Sequence, residues 1–407
     1  MSLNKRKIEV LAPAGDEERF MSAVSFGADA VYLAGQQFGM RTSPSNFTND
    51  RLLWACDYAH KLGKKVYVTC NTVPRNGEID RLPEYLEFLN SAKVDALIIS
   101  DMGVMALAKR YAPDTDIHIS TQAGVCNYAA AGELYNMGAS RVVLARELSL
   151  DEIKTLRDKT PPELEIECFV HGAMCVSFSG RCLLSNIMAA RDANRGDCAQ
   201  PCRWQYVLSE TTRPGEYFPI YETEKGTYIL NSRDLCMIEH IDKLYEAGID
   251  SFKIEGRAKS AYYTAAVTNA YRMAVDSFMQ SKGDFTTPAW ITEEVYKVSH
   301  RQYSTGFYFG NQPGQVYDNG GYIRNYDVVA VVKEQKDGWL YLSQRNKFYS
   351  NDNLDVLSPG DTPFIICAGQ LYDMDDNPIE SAPHATMDLK IRCDKKINPG
   401  AFLRKQL

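Results

Sequence analysis

The first two-thirds of the chain repeats one joint. A short polar step leads into an apolar run of strand length, and an amphipathic stretch follows. The clearest copies are Gly27-Ala-Asp-Ala-Val-Tyr-Leu-Ala-Gly35, Val94-Asp-Ala-Leu-Ile-Ile-Ser-Asp101, Gly138-Ala-Ser-Arg-Val-Val-Leu-Ala-Arg146 and Gly248-Ile-Asp-Ser-Phe-Lys-Ile-Glu255. Three of these four begin with glycine, where a helix can stop in a left-handed turn. The apolar runs are continuous rather than alternating, the pattern of strands covered on both faces in a parallel sheet. Strands are predicted at Ile8–Ala12, Ala30–Ala34, Lys65–Cys70, Ala96–Ser100, Ile117–Ser120, Val142–Ala145, Glu165–Val170 and Ser251–Ile254. Amphipathic helices are predicted over Asp50–Leu62, Leu82–Ala92, Ala129–Met137 and Leu150–Asp158. Eight strands, each with room for a helix after it, point to an α/β fold of the TIM (β/α)8 type. The open doubly wound sheet is the alternative, but the first turn reads Pro13-Ala14-Gly15-Asp16 and lacks the Gly-x-Gly-x-x-Gly fingerprint.

The eighth helix is predicted from Ala258 to Met279, which sets a barrel domain over residues 1–282 with a cysteine-rich insertion at 172–225. Residues 283–320, with Gly283, Pro288 and Trp290, read as a linker. Residues 321–407 change character. Short strands at Val328–Lys333, Trp339–Ser343, Thr362–Ala368 and Met387–Arg392 alternate with turns such as Lys336-Asp-Gly338, which suggests a small β-barrel domain.

A chain of 407 residues, 45% of them hydrophobic, suffices for one large domain and a smaller one. The net charge of -7 argues against a general polyanion-coating protein, though not against a local basic patch. No apolar leader follows the polar Met1–Lys7, and no run is long enough for a membrane span. A reducing cytoplasm is the expected setting, and there clustered cysteines bind metal or do redox work. Of the eleven cysteines, Cys70, Cys126, Cys168, Cys236 and Cys367 lie in apolar runs and read as free, buried thiols.

Four others lie close together: Cys175, Cys182, Cys198 and Cys202, spaced Cys-x6-Cys-x15-Cys-x3-Cys. Four thiolates on one polar loop suit tetrahedral zinc or an iron–sulfur cluster. Structural zinc favours two close pairs, and only Cys198 and Cys202 form one, so the spacing favours iron–sulfur. Two disulfides are the plainer alternative. Strand seven runs out at His171-Gly172 and the cysteine loop starts three residues later, which places it at the carboxyl face where a TIM barrel carries its chemistry.

The predicted strand ends bring Arg41, Asn71, Asp101, Gln122, Arg146, Glu147, His171, Glu255 and Arg257 to that mouth. Arg146, Arg233 and Arg257 suggest an anionic small molecule, because guanidinium forks hold carboxylates in a bidentate way. His171 is a candidate general acid or a donor behind the metal loop, and equally a structural histidine. Asp101 could simply cap the next helix. Arg181, Arg191, Arg195 and Arg203 in the loop could meet phosphates or pair with Asp192 and Asp197. Zincin, Walker and nucleophile-elbow motifs are absent, as is the Cys-x3-Cys-x2-Cys triplet of radical S-adenosylmethionine enzymes.

The run Glu167-Cys-Phe-Val-His-Gly-Ala-Met-Cys175 followed by Gly180-Arg-Cys182-Leu-Leu-Ser185 resembles the signature of the collagenase-like peptidases, family U thirty-two. Leu11-Ala-Pro-Ala-Gly15, Ser120-Thr-Gln122, Arg146-Glu-Leu-Ser149, Arg191-Asp-Ala-Asn-Arg-Gly196, Leu230-Asn-Ser-Arg-Asp-Leu235, Lys253-Ile-Glu-Gly-Arg257 and His300-Arg-Gln-Tyr-Ser-Thr-Gly-Phe307 extend the likeness over nearly the whole chain. Within the family it looks most like the branch that hydroxylates tRNA. That resemblance implies 5-hydroxyuridine formation at the wobble position, a 4Fe-4S cluster on Cys175, Cys182, Cys198 and Cys202, and prephenate as co-substrate. Other family members hydroxylate ribosomal RNA or a ubiquinone precursor without O2.

On this reading the anionic donor sits against Arg146 and Arg257, with His171 or Glu255 moving protons. Arg41, Asn71, Gln122, Glu147, Asn231 and Arg233 are the candidate substrate contacts. Arg345, Lys347, Lys395, Lys396 and Arg404 of the C-terminal domain are candidates for holding the tRNA body. No membrane partner is expected, and a protein partner or a homo-oligomer is left open. The alternatives are a metal-dependent or cysteine peptidase, as the family name says, and a zinc-stapled binding scaffold.

Overall fold

A computed structural model describes residues 6–39, 46–175, 177, 182, 184–191, 193, 197–204, 222–223, 226–227, 232–310 and 322–407. Eight parallel strands close a barrel: β1 Glu9–Pro13, β2 Ala30–Leu33, β3 Lys65–Cys70, β4 Ala96–Ile99, β5 Asp116–Ile119, β6 Arg141–Val143, β7 Glu165–Ala173 and, further along, Ser251–Ile254. That last strand pairs with β1 through Val10↔Phe252 and with β7 through Phe252↔Cys168, which closes the ring. Gly27, Gly138 and Gly248 have φ of 97°, 105° and 88°, so the glycine at each of these joints does turn a helix end left-handed. Helix starts are capped by Asp16, Thr48, Asp101, Asn127, Ser149 and Ser260. Asp101 accepts from the N–H of Gly103 and Val104, which gives it the capping role.

The predicted strands are all present, with one extension that matters. Strand β7 was expected to stop at Val170 but runs on to Ala173. Its last three residues pair antiparallel with β8, Asp234–Cys236, on the return from the cysteine insertion. The closing barrel strand Ser251–Ile254 is therefore β9, and β10, Tyr303–Ser304, adds to the far side of β8. Residues 283–320, read as a linker, contain the helix Ala289–Tyr296 and β10, and Ile291, Val295 and Val298 are buried in the barrel's core.

The lumen is ionic through its lower half. Inward positions along β7 and β9 are Glu165, Glu167, Ser251 and Lys253. Arg141 reaches Glu9 at 2.6 Å, Glu165 at 2.6 Å and Glu167 at 3.0 Å, and Lys253 meets Glu167 at 2.6 Å. Burial works against the charge on Arg141, but Glu9 and its neighbours outweigh it and hold the guanidinium well above its ordinary pKa. Charges this deep persist only when paired and hydrogen-bonded.

The C-terminal domain is a curled antiparallel half-barrel. Its strand order is Phe364–Cys367, Asn353–Leu357, Phe402–Gln406, Tyr326–Lys336, Trp339–Gln344, Asp388–Arg392, Leu371–Tyr372 and Pro378–Ile379. It has its own apolar core, including Leu340, Leu342, Phe348, Leu354 and Leu389. Leu357 and Phe402 are buried instead in the barrel's core, and this seats the domain on the long helix Ala261–Gln280. Among the described residues no helix is long and apolar enough to cross a membrane.

Candidate active site at the barrel mouth

The carboxyl ends of the strands gather a polar ring. Thr69, at the end of β3, accepts a hydrogen bond from Arg257 Nη1 at 3.1 Å across the barrel, and Arg257 is only 8% exposed. Asn71 Nδ2 donates to Ser120 Oγ at 3.3 Å, and Ser100 donates to the Asn71 carbonyl at 2.9 Å. Gln122 sits in the short turn Thr121–Ala123, its backbone N–H on Ser120 Oγ, and Glu147 lies half-buried beside Arg146. Arg146, Glu255, Arg257, Asn71, Gln122 and Glu147 thus all occupy strand ends or the loops that follow them. Arg41 and Asn231 lie outside the described residues.

Arg146 is the most constrained of these. Its guanidinium lies 3.8 Å over the Phe169 ring, Nη1 donates to the Ala173 carbonyl at 2.7 Å, and Nη2 donates to Glu255 Oε2 at 3.0 Å. The Ala173 contact links the mouth to the cysteine loop, since Cys175 is two residues on. Gly172 makes the close approach possible. Its φ is 108°, and a Cβ there would stand 2.5 Å from the Glu255 carbonyl oxygen.

His171 takes a different place from the one the strand end suggested. The extension of β7 carries it inward, and it is 1% exposed. Tyr263, Tyr271 and Tyr303 pack around its ring, and Tyr303 Oη and Tyr271 Oη lie 3.3 and 3.5 Å from its two nitrogens. Burial drives its pKa down to about 3, only partly opposed by Asp234. This is a neutral, caged imidazole behind the mouth, a geometry that favours the structural reading over proton transfer to a substrate.

Arg233 is half-buried beside that cage, and its Nε has no hydrogen-bond partner among the described residues. The next residue, Asp234, is locked to Arg301 by bonds of 2.9 and 2.7 Å, both side chains nearly inaccessible. The tyrosine cage and this ion pair escaped the sequence reading. Their members lie on the helix Ala261–Gln280 and in the segments around Asp234 and Arg301–Tyr303, which no local pattern ties together.

All eleven cysteines are free thiols, so the disulfide alternative is not formed. Cys367, expected to be buried, is exposed on the outer side of its strand. In the insertion, the helix Leu184–Ala189 and the turn Pro201–Arg203 pack together, tied by Ala199 N–H to Ser185 Oγ at 2.9 Å. The Gln200 N–H donates to Cys198 Sγ at 3.3 Å. Arg191 pairs with Asp197 at 2.7 Å, while Arg181 and Arg195 lie outside the described residues. Desolvation raises the Cys175 thiol, opposed by a hydrogen bond from the Ser177 backbone and by the charge of Arg146, with Cys182 and Cys198 adding a further push upward. Among the described residues no three Cys, His, Asp or Glu side chains stand at metal-binding geometry. The donor chemistry of Cys175, Cys182, Cys198 and Cys202 is that of a four-thiolate group.

Comparison with known proteins matches residues 15–317 to peptidase family U32 and residues 324–404 to the peptidase family U32 C-terminal domain. The chain is 38% identical over 405 residues to tRNA hydroxylation protein P1 of Bacillus subtilis (strain 168), covering 98% of this chain and 95% of that protein. It is 34% identical over 442 residues to tRNA hydroxylation protein P of Escherichia coli (strain K12), covering 98% and 97%. It is also 34% identical over 365 residues to the 23S rRNA 5-hydroxycytidine C2501 synthase of Escherichia coli (strain K12), covering 88% of this chain and 53% of that protein. With both of its domains matched and relatives of 34–38% identity covering nearly all of its length, the chain belongs to peptidase family U32.

Proposed function

We propose that this protein hydroxylates RNA, and specifically that it forms 5-hydroxyuridine at the wobble position of tRNA with prephenate as co-substrate. The observation that carries the reading is the near-full-length similarity to two proteins named for tRNA hydroxylation. The arginine-lined mouth beside a four-cysteine loop supports it. Cys175, Cys182, Cys198 and Cys202 would hold an iron–sulfur cluster, which would supply electron transfer or Lewis-acid chemistry. Arg146 and Arg257 would bind the carboxylates of prephenate, and Asn71, Gln122 and Glu147 would orient the substrate. His171 would position β7 from behind rather than carry protons. A cysteine-peptidase reading draws no support from Cys70, Cys168 or Cys236, whose thiols burial raises above the ordinary value, the reverse of an activated nucleophile.

The test is nucleoside mass spectrometry of tRNA from a host lacking its own 5-hydroxyuridine enzymes and carrying this protein or its Cys182→Ala variant. The modified nucleoside should appear with the wild type and vanish with the variant. Persistence with the variant, or absence with the wild type, would defeat the reading.

A further inference from the structure

The loop that leaves β9 carries a lysine at the rim of the mouth. Lys259 stands two residues beyond Arg257. Its ammonium lies over two tyrosine rings, 5.2 Å from the centre of Tyr263 and 4.3 Å from that of Tyr322. Its hydrogen bond to the Ser299 carbonyl is long, at 3.5 Å, and among the described residues it meets no carboxylate. Lys297, Lys333, Lys390 and Lys405 differ, each engaging a carboxylate at 2.7–2.9 Å. An ammonium has three donors. Lys259 is therefore a cation held in place by rings, with donors left over.

Tyr322 is the outer ring and is 45% exposed. The next residue, Ile323, exchanges two backbone hydrogen bonds with His300, at 3.2 and 2.7 Å, so the ring stands on a pinned backbone. Tyr263 is the inner ring. It is buried, and its hydroxyl donates to the Glu255 carbonyl at 3.0 Å. One ring thus separates the Lys259 ammonium from the strand end that carries Glu255 and its partner Arg146.

We infer that Lys259 and Tyr322 grip single-stranded RNA at the rim of the mouth. The ammonium takes a backbone phosphate, and the tyrosine ring stacks on a base beside the one being modified. The inference rests on the proposed RNA substrate. A phosphate calls for a cation with donors to give, and a base calls for an exposed aromatic face. The net charge of -7 means that RNA is not drawn to the surface at large, so attraction has to come from local cations such as this one. An acidic peptide would use the ammonium and leave the ring uncovered, whereas a nucleotide uses both. Because every base has a π face, the grip tolerates any base at that position.

Fluorescence anisotropy of the full-length protein with a labelled anticodon stem-loop RNA, over a series of salt concentrations, tests this. Lys259→Gln should bind about fivefold more weakly at low salt and lower the slope of log affinity against log salt by about 0.7. Tyr322→Ala should bind about fivefold more weakly with the slope unchanged, and Tyr322→Phe should match the wild type. Tyr322→Leu replaces Tyr322→Ala if near-ultraviolet circular dichroism shows the latter misfolded. Wild-type affinity in either folded variant overturns the inference, as does failure of the wild type to bind the RNA. Displacement by poly(glutamic acid) as readily as by unlabelled RNA also overturns it, since the pair would then be a plain anion site. Binding requires no turnover. If the variants weaken as expected while the wild type forms no 5-hydroxyuridine, the grip stands and the hydroxylation reading falls.

Discussion

Arg404, in the last strand of the chain, donates to Glu294 at 3.0 Å across the junction between the two domains. Its guanidinium is fully buried and also reaches Asp355 at 3.1 Å and the Tyr262 hydroxyl at 3.2 Å. Lys297 joins the same carboxylates at 2.7 and 2.8 Å. Arg404 is therefore a bolt between domains and is unavailable to RNA. Lys347, Lys395 and Lys396 do remain on the surface, and Arg345 is half-buried against Glu18.

Removing Arg404 leaves the two carboxylates, Glu294 and Asp355, sharing Lys297 as their remaining cation. Arg404→Met should destabilise the junction by about 3 kcal/mol. In urea unfolding followed by tryptophan fluorescence, the variant should lose cooperativity between the two domains. A single transition at the wild-type midpoint would show that the cluster contributes nothing.

The caged His171 sets a pH dependence. Its folded pKa of about 3 lies below the ordinary value of 6.5. Between those values the unfolded chain binds a proton that the folded chain does not. Stability is thus complete above pH ~6.5 and falls as the pH drops toward 3, by about 1.4 kcal/mol per pH unit for this group. Thermal melts between pH 5 and 7 should show a shallower slope for His171→Gln by one proton. Parallel wild-type and variant curves would show that His171 does not carry the effect.

Gly172→Ala should cost about 2 kcal/mol or more, because both the positive φ and the contact with Glu255 oppose a Cβ. The displaced Glu255 would also lose its alignment with Arg146. A variant with wild-type melting temperature and unchanged anion binding would contradict the close packing described here.

Metal removal should separate chemistry from folding. Among the described residues, the barrel and half-barrel cores are built from residues outside the insertion, apart from Met174 at its edge. Protein purified without oxygen should carry iron and sulfide and absorb in the visible range. Chelation under reducing conditions should abolish tRNA modification and leave the far-ultraviolet circular dichroism unchanged. Zinc in place of iron would move the cysteine loop to a structural role.

The barrel was legible because strand and helix periods are local. A continuous apolar run bounded by a left-handed glycine needs no distant information to be read as a buried strand. The clustering of Cys175, Cys182, Cys198 and Cys202 was visible for a similar reason, since their spacing along one short segment is local. Arg146, Glu255 and Arg257 could be placed at the mouth because a parallel barrel puts every strand's carboxyl end on one face.

What could not be read were the partnerships. His171 looked like a strand-end residue, and only the antiparallel pairing of its strand with Asp234–Cys236 carries it into a cage of three tyrosines from two distant segments. Arg404 looked like a surface cation until the domain junction supplied Glu294 and Asp355. The amino-acid order by itself determined the period of each element and the face on which its end would lie. Whether a charge at that end meets solvent, a ligand or a buried counter-charge was decided only by tertiary packing. Coulombic and desolvation energies depend on distances between residues a hundred positions apart, and no local pattern encodes those.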